Sequence, residues 1–256
     1  MTPIESRRGR STVGAILLRF RRDTDAWGLT PRGAIIIALV PILVVGAIIA
    51  TIRFPRVFRW VIDEDSVVEN IQFILILAAG VFFGWSSARL LRTGRASFGI
   101  LYALVATATF FVAGEEISWG QRILGLRTPD ALEAINWQRE ISVHNIHGFH
   151  QPFIYAVMLA GLYGTIVPSI GLAWSTRRPA PSLAFLLVPP VCLVPGFFTP
   201  FGYRLFRMVF RPELAYPGRI FVITEFSEVT ELCFYFGVFV FAWLAWRRLR
   251  HEPPRC

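Results

Sequence analysis

Six apolar stretches, each close to arginine or to turn-forming residues, constrain this chain more than any other feature. A helix needs roughly 20 mostly apolar residues to cross a hydrocarbon core of about 30 Å, since each residue advances it by about 1.5 Å. The runs are Gly33 to Ile52, with Pro41 placed to kink it, Ser66 to Ala88, Ala96 to Glu116, Pro152 to Trp174, Leu183 to Phe201, and Ile223 to Trp246. The predicted fold is therefore all-α, a polytopic membrane helix bundle with six transmembrane helices in a single transmembrane domain, 1–256. More than thirty residues precede the first run, and its apolar stretch exceeds a secretory core, so it reads as an uncleaved anchor.

Composition agrees: 54% of residues are hydrophobic and 17% charged, which suits a bilayer better than a water-facing surface. Three cysteines in 256 residues exclude a disulfide scaffold. All 26 basic residues are arginine, which removes mechanisms that need a lysine, such as a Schiff base or a Walker-type phosphate loop.

With six spans both termini share one side of the membrane. That side carries 16 arginines and four acids, the other side ten arginines and thirteen acids. The positive-inside bias places both termini in the cytoplasm of a multi-pass cell-membrane protein. The net charge of +9 is thus a topological signal. It does not point to nucleic acid, because the arginines flank spans instead of interleaving with aromatics along a groove.

Residues 1–32 form a basic cytoplasmic N-terminal segment, in which Ser11 to Arg22 alternates aliphatic residues with arginine as an interfacial helix does. Phe54 to Ile62 is a second candidate for the membrane surface, on the outer side. The long outer connection, 117–151, holds a short amphipathic helix expected to start near Thr128 as its N-cap.

The acids and histidines gather at one level, the outer ends of the spans. Glu69, with Asn70 and Gln72, lies at the mouth of the second span, Glu115 and Glu116 at the end of the third, and Glu225, Glu228 and Glu231 at the start of the sixth. On a helix the last three drift by about 60° per step and form one oblique stripe. Glu115 and Glu116, about 100° apart, point to different places, one to the bundle and the other to the loop or an arginine such as Arg122. His144, His147 and His150 lead into the fourth span. A charged residue at the centre of a span costs about 2.5–3.5 kcal/mol on insertion scales, so several in one bundle suggest a site.

Plainer readings stand beside this one. Glu69, Glu115 and Glu225 also suit solvated helix ends or partners of Arg53, Arg204 or Arg219. The histidines suit caps, and Trp119 and Trp137 suit an aromatic belt. Pro189, Pro190, Pro195 and Pro200 must break or kink the fifth span, and a packing role is favoured there over carbonyls bared to a cavity. Cys192 and Cys233 read as small buried apolar side chains.

Glutamates and imidazoles in a partly dry recess supply general acid/base chemistry or a metal site. The expected catalytic residues are Glu115, Glu116, His144, Glu228 and Glu231, with Glu69, Gln121 and Asn145 contacting substrate. His144, His147 and Glu115 form a candidate ligand set for a divalent metal such as zinc. The leading expectation is a membrane enzyme using metal-assisted hydrolysis or group transfer on a lipid or lipid-linked substrate. The rivals are a proton- or cation-coupled transporter or channel and a noncatalytic assembly partner.

The strings ENIQF at 69–73, GEEISWGQR at 114–122, NWQRE at 136–140 and HN at 144–145 resemble a pattern in uncharacterised bacterial multi-pass membrane proteins. The resemblance covers roughly residues 64–150. It implies that the outer-end polar residues act as one unit, and it brings no activity with it. The arrangement is also loosely similar to membrane hydrolases of the alkaline ceramidase type, although the chain lacks their HxxxH pair within a span.

Overall fold

The computed structural model describes residues 12–63, 66–136, 138–143, 145–174 and 183–251. Its described residues are helical apart from turns and one isolated bridge, Asn136 to Ile146. The chain opens with α1 (Thr12–Ala26), which leaves Ile16 and Leu17 exposed on its surface, as expected of an interfacial helix. Gly28, at φ 63°, turns the chain into α2 (Pro31–Thr51). Thr30 caps that helix by accepting from the Gly33 N–H at 3.1 Å, and Pro31 occupies its first turn, where no N–H is needed. Pro41 does not interrupt α2, which runs through it as one helix.

The surface segment expected at 54–62 is α3 (Pro55–Ile62), which buries Phe58 and Ile62 and exposes Trp60. The helices α4 (Val67–Arg92) and α5 (Ala96–Glu116) form a hairpin. Gly99 brings its turn together tightly, because a Cβ there would lie 2.7 Å from Leu91 Cγ. After the loop come α8 (His150–Trp174), α9 (Val194–Phe210) and α11 (Ile220–His251). Single-turn helices lie in the loop, α6 (Gln121–Leu124) and α7 (Asp130–Glu133), and between α9 and α11, α10 (Pro212–Ala215). The centre of the bundle is α11, packed on α4, α9 and α2. Lipid tails are as apolar as these side chains, so close packing decides helix association more than water exclusion does. Among the described residues, five helices are long and apolar enough to cross a membrane, which makes this a multi-pass membrane protein.

The fifth expected span is broken, as its prolines require, and its helix has other bounds than the sequence reading gave it. Leu183 to Phe201 is not one helix: it is a 3₁₀ turn at Leu183–Leu186, an extended step at Pro190 and a second turn at Val191–Leu193, before α9 begins at Val194 and runs on to Phe210. Pro189 and Pro190 remove two backbone donors in succession, so no helical ladder can pass. Three side chains satisfy the interrupted backbone. The Asp23 carboxylate of α1 accepts from the Val191 N–H at 2.8 Å, Tyr102 donates to the Leu186 carbonyl at 2.9 Å, and Tyr163 donates to the Leu187 carbonyl at 2.7 Å. The exposed carbonyls are therefore held by protein, which a bilayer requires of irregular backbone.

Both ends of the described chain meet at one end of the bundle. Arg248 of α11 lies over the Trp27 ring at 5.8 Å, and Arg89 at the end of α4 donates through Nε to the Leu249 carbonyl at 2.7 Å. The opposite end carries the 117–151 loop.

Candidate functional site

At the loop end, the sequence GEEISWGQ folds the chain back on itself. Ser118 and Trp119 take left-handed backbone, φ 47° and 54°, and Gly120 follows at 76°. This strained turn places the Trp119 ring on Gly114, where a Cβ would lie 2.9 Å from it. Glu115 fixes the turn: it is 2% exposed, and its carboxylate accepts from Trp119 Nε1 at 2.5 Å and from the Val143 N–H at 2.6 Å. Trp119 is thus a tied element of the loop. Glu116 points the other way and accepts from Tyr235 Oη of α11 at 2.8 Å. The division expected of these two neighbours is the one found.

The loop is braced by polar side chains. Gln121 donates to Thr128 Oγ1 at 2.7 Å and accepts from the Ile141 N–H at 2.6 Å. Thr128 itself donates to the Arg139 carbonyl at 2.6 Å. It is therefore a buried brace, not the expected N-cap, and α7 is a single turn that starts after Pro129 without a side-chain cap. Asn136, also buried, donates to the Ser142 carbonyl at 2.7 Å and accepts from the Gln138 N–H at 2.9 Å. Asn145 donates to Gln138 Oε1.

Beneath the loop the carboxylates converge. A recess of about 80 Å³ is lined by Glu69 of α4, Glu115 and Glu116 of α5, and Glu225, Glu228 and Glu231 of α11. Asp63 and Glu140, neither of them singled out in the sequence, complete it. Gln72, fully buried, bridges α4 to α11 by donating to the Glu228 carbonyl at 2.9 Å and to its carboxylate at 3.4 Å.

A larger cavity of about 370 Å³ adjoins it and shares Gln138, Phe153, Glu225, Glu228 and Glu231. Its walls come from α8, α9 and α11, with His150, Asn145 and the arginines Arg204 and Arg207 among them. Arg204 donates to Gln151 Oε1 at 3.1 Å, and Arg207 pairs with Glu213. The sequence did carry a signal for this wall: YRLFR at 203–207 places two arginines three residues apart in an otherwise apolar helix.

Of the residues expected to form a site, Glu69, Glu115, Glu116, Glu228 and Glu231 lie in the acidic recess and Asn145 in the larger cavity. Gln121 has both ends of its amide engaged within the loop. His147 is exposed and lines neither space. His144 lies outside the described residues, as does Trp137. Among the described residues, no three His, Cys, Asp or Glu side chains are arranged to hold a metal ion. The chemical capacity of the site is therefore that of carboxylates: proton transfer, attraction of a cation, and, on the α9 side, attraction of an anion. No family model, curated protein or solved structure matches this chain, so its character as a multi-pass helical membrane protein is identified without a family.

Proposed function

We propose that the protein is an integral membrane enzyme performing hydrolysis or group transfer on the headgroup of a lipid or lipid-linked substrate, at the extracytoplasmic face. One observation carries this reading: carboxylates from α4, α5, α11 and the loop share a recess that adjoins, across Glu225, Glu228 and Glu231, a cavity large enough for a ligand. Glu228 and Glu231 belong to both spaces, so they are the groups best placed to move a proton at a bound substrate. Glu116, held by Tyr235, lines the recess behind them.

Magnitudes separate this from a merely structural cluster. A polar contact between membrane helices contributes about 0.6 kcal/mol on average, whereas a buried charge costs roughly 2.5–3.5 kcal/mol at the helix centre. Helix locking alone gives no reason to gather so many acids. A through-going proton or cation path is also poorly supported. Beyond Gln72 on α4 the buried residues are Ile76, Ala79, Gly80, Phe83, Ser86, Ser87 and Leu90, and beyond Glu231 on α11 they include Phe234, Tyr235, Val240 and Leu244, with no carboxylate, imidazole or guanidinium among the buried residues of either stretch.

The test is turnover by the detergent-purified full chain. Short-chain phosphatidylethanolamine, phosphatidylglycerol and a polyprenyl phosphate are offered with and without magnesium or zinc chloride, and headgroup release is followed by mass spectrometry. Glu228→Gln and Glu231→Gln are each expected to lower the rate by at least about 100-fold, with melting temperatures close to wild type. Folded wild-type protein that turns over none of these substrates, or turnover undiminished in both variants, overturns the proposal.

A further inference from the structure

We propose that the cavity between α8, α9 and α11 binds a zwitterionic aminophosphate headgroup, its phosphate at Arg204 and Arg207, its ammonium at the α11 carboxylates, and its acyl chains leaving between α8 and α11. This rests on the reading of the site as one that takes a lipid, and it names the class of headgroup.

Three observations lead to it. The first is the opening. Among the described residues, α8 packs on the bundle mainly through α9, whose other face packs on α11, and α8 has no extended contact with α11 itself. The wedge between them is the cavity, and its α8 wall is apolar at Ile154, Val157 and Met158. A chain of methylenes leaving the cavity thus meets apolar side chains and then lipid.

The second is the arginine pair. Arg204 and Arg207 lie one helical turn apart on α9 and both line the cavity. Arg207 is committed to Glu213, while Arg204 makes its hydrogen bond to a neutral amide, that of Gln151. A guanidinium with a neutral partner in a partly dry space suits a phosphate, which it can meet with two parallel N–H donors.

The third is the opposite wall. Glu225, Glu228 and Glu231 line the same cavity, with further acids in the recess behind them. Ionised, those carboxyls would repel a purely anionic ligand drawn to Arg204, whereas an ammonium brought beside them favours their charged form and pairs with it. A headgroup carrying its own ammonium satisfies both walls at once, because its dipole runs the same way as the charge separation of the cavity.

Binding to the detergent-purified full chain tests this by calorimetry, with no turnover required. The probes are dihexanoyl phosphatidylethanolamine, dihexanoyl phosphatidic acid with and without magnesium chloride, dihexanoylglycerol, and free phosphoethanolamine. The ethanolamine lipid is expected to bind at least ten times more tightly than each of the others. Arg204→Gln is expected to weaken it by tenfold or more, with partial rescue by Arg204→Lys. Glu225→Gln is expected to weaken the ethanolamine lipid and not phosphatidic acid. Met158→Trp, which fills the cavity from its apolar side without altering charge, is expected to abolish binding and guards against misfolding of the arginine variants. Phosphatidic acid binding as tightly as the ethanolamine lipid, in either salt condition, overturns the proposal, as does binding unaffected by both Arg204→Gln and Met158→Trp. Free phosphoethanolamine binding as tightly as the lipid overturns the membrane source of the ligand. Selective binding without turnover would sink the enzymatic reading and leave this one standing, whereas turnover without this selectivity would do the reverse.

Discussion

Asp23 shows how a single side chain answers a defect made elsewhere. Its carboxylate is largely buried and supplies the acceptor for the Val191 N–H, which the proline-broken segment leaves without a helical partner. Burial pushes its pKa up to about 6, against the pull of that hydrogen bond. Since the folded value exceeds the unfolded one, the native state holds more protons between about pH 4 and pH 6, and stability falls as pH rises through that window. Asp23→Asn keeps an acceptor and removes the titration. Its melting temperature should match wild type near pH 4 and exceed it at pH 7, with a difference of up to roughly 3 kcal/mol. Equal pH slopes in the two proteins would remove Asp23 as the cause. Gly114 makes a second residue-scale case. A Cβ at that position would meet the Trp119 ring, which Glu115 holds in place. Gly114→Ala should therefore cost about 1–3 kcal/mol and shift the tryptophan emission, while Gly171→Ala, which meets nothing within 4 Å, should change neither.

Among the elements, the α8–α9 pair governs the cavity. A Cβ at Gly161 would lie 2.6 Å from the Phe197 carbonyl oxygen, and one at Gly164 would overlap the Phe197 ring. These glycines, three residues apart on one face, let the two backbones approach as small residues do in membranes. Gly161→Val should force the helices apart and lower the melting temperature, by about 1–3 kcal/mol in stability, and should weaken binding of dihexanoyl phosphatidylethanolamine. Binding and melting both unchanged would mean that α9 is positioned by α11 alone. The elements themselves were largely legible in the sequence, because about 20 apolar residues ended by arginine have few alternatives to a membrane helix. The break in segment 183–201 was legible in its prolines, but the bounds of its helix were not, since hydropathy ends the run at Phe201 whereas α9 starts at Val194 and continues to Phe210. The carboxylate set was legible too, because charge inside an apolar run is conspicuous. Asp63 and Glu140 were not, since they lie in surface segments where acids are ordinary and only the fold brings them to the recess. Glu115 was recognised as special without its loop-fixing bonds, which depend on a backbone reversal at Ser118 and Trp119 that no periodicity announces.

At the scale of the whole molecule, the contacts of the chain ends bear on topology. Trp27, after α1, and Arg248, near the end of α11, touch, and Arg89 at the end of α4 donates to the Leu249 carbonyl. Chain ends that meet on one side imply an even number of crossings. Five long helices make an odd number, so an even count would require the broken segment with α9 as a sixth crossing. By the positive-inside rule the arginine excess would then place this end in the cytoplasm. The prediction is a labelling pattern in intact cells. In a background with Cys256 replaced by serine and with Cys192 and Cys233 buried, cysteine is introduced singly for Arg92, Ala134 and Arg250, all of them exposed. A membrane-impermeant maleimide should label position 134 in intact cells, and positions 92 and 250 only after permeabilisation. Labelling of 250 but not 92 from outside would make the number of crossings odd and leave the broken segment on one side of the bilayer. Labelling of 92 and 250 but not 134 would invert the molecule and turn the carboxylate recess toward the cytoplasm, where the pool of available headgroups differs.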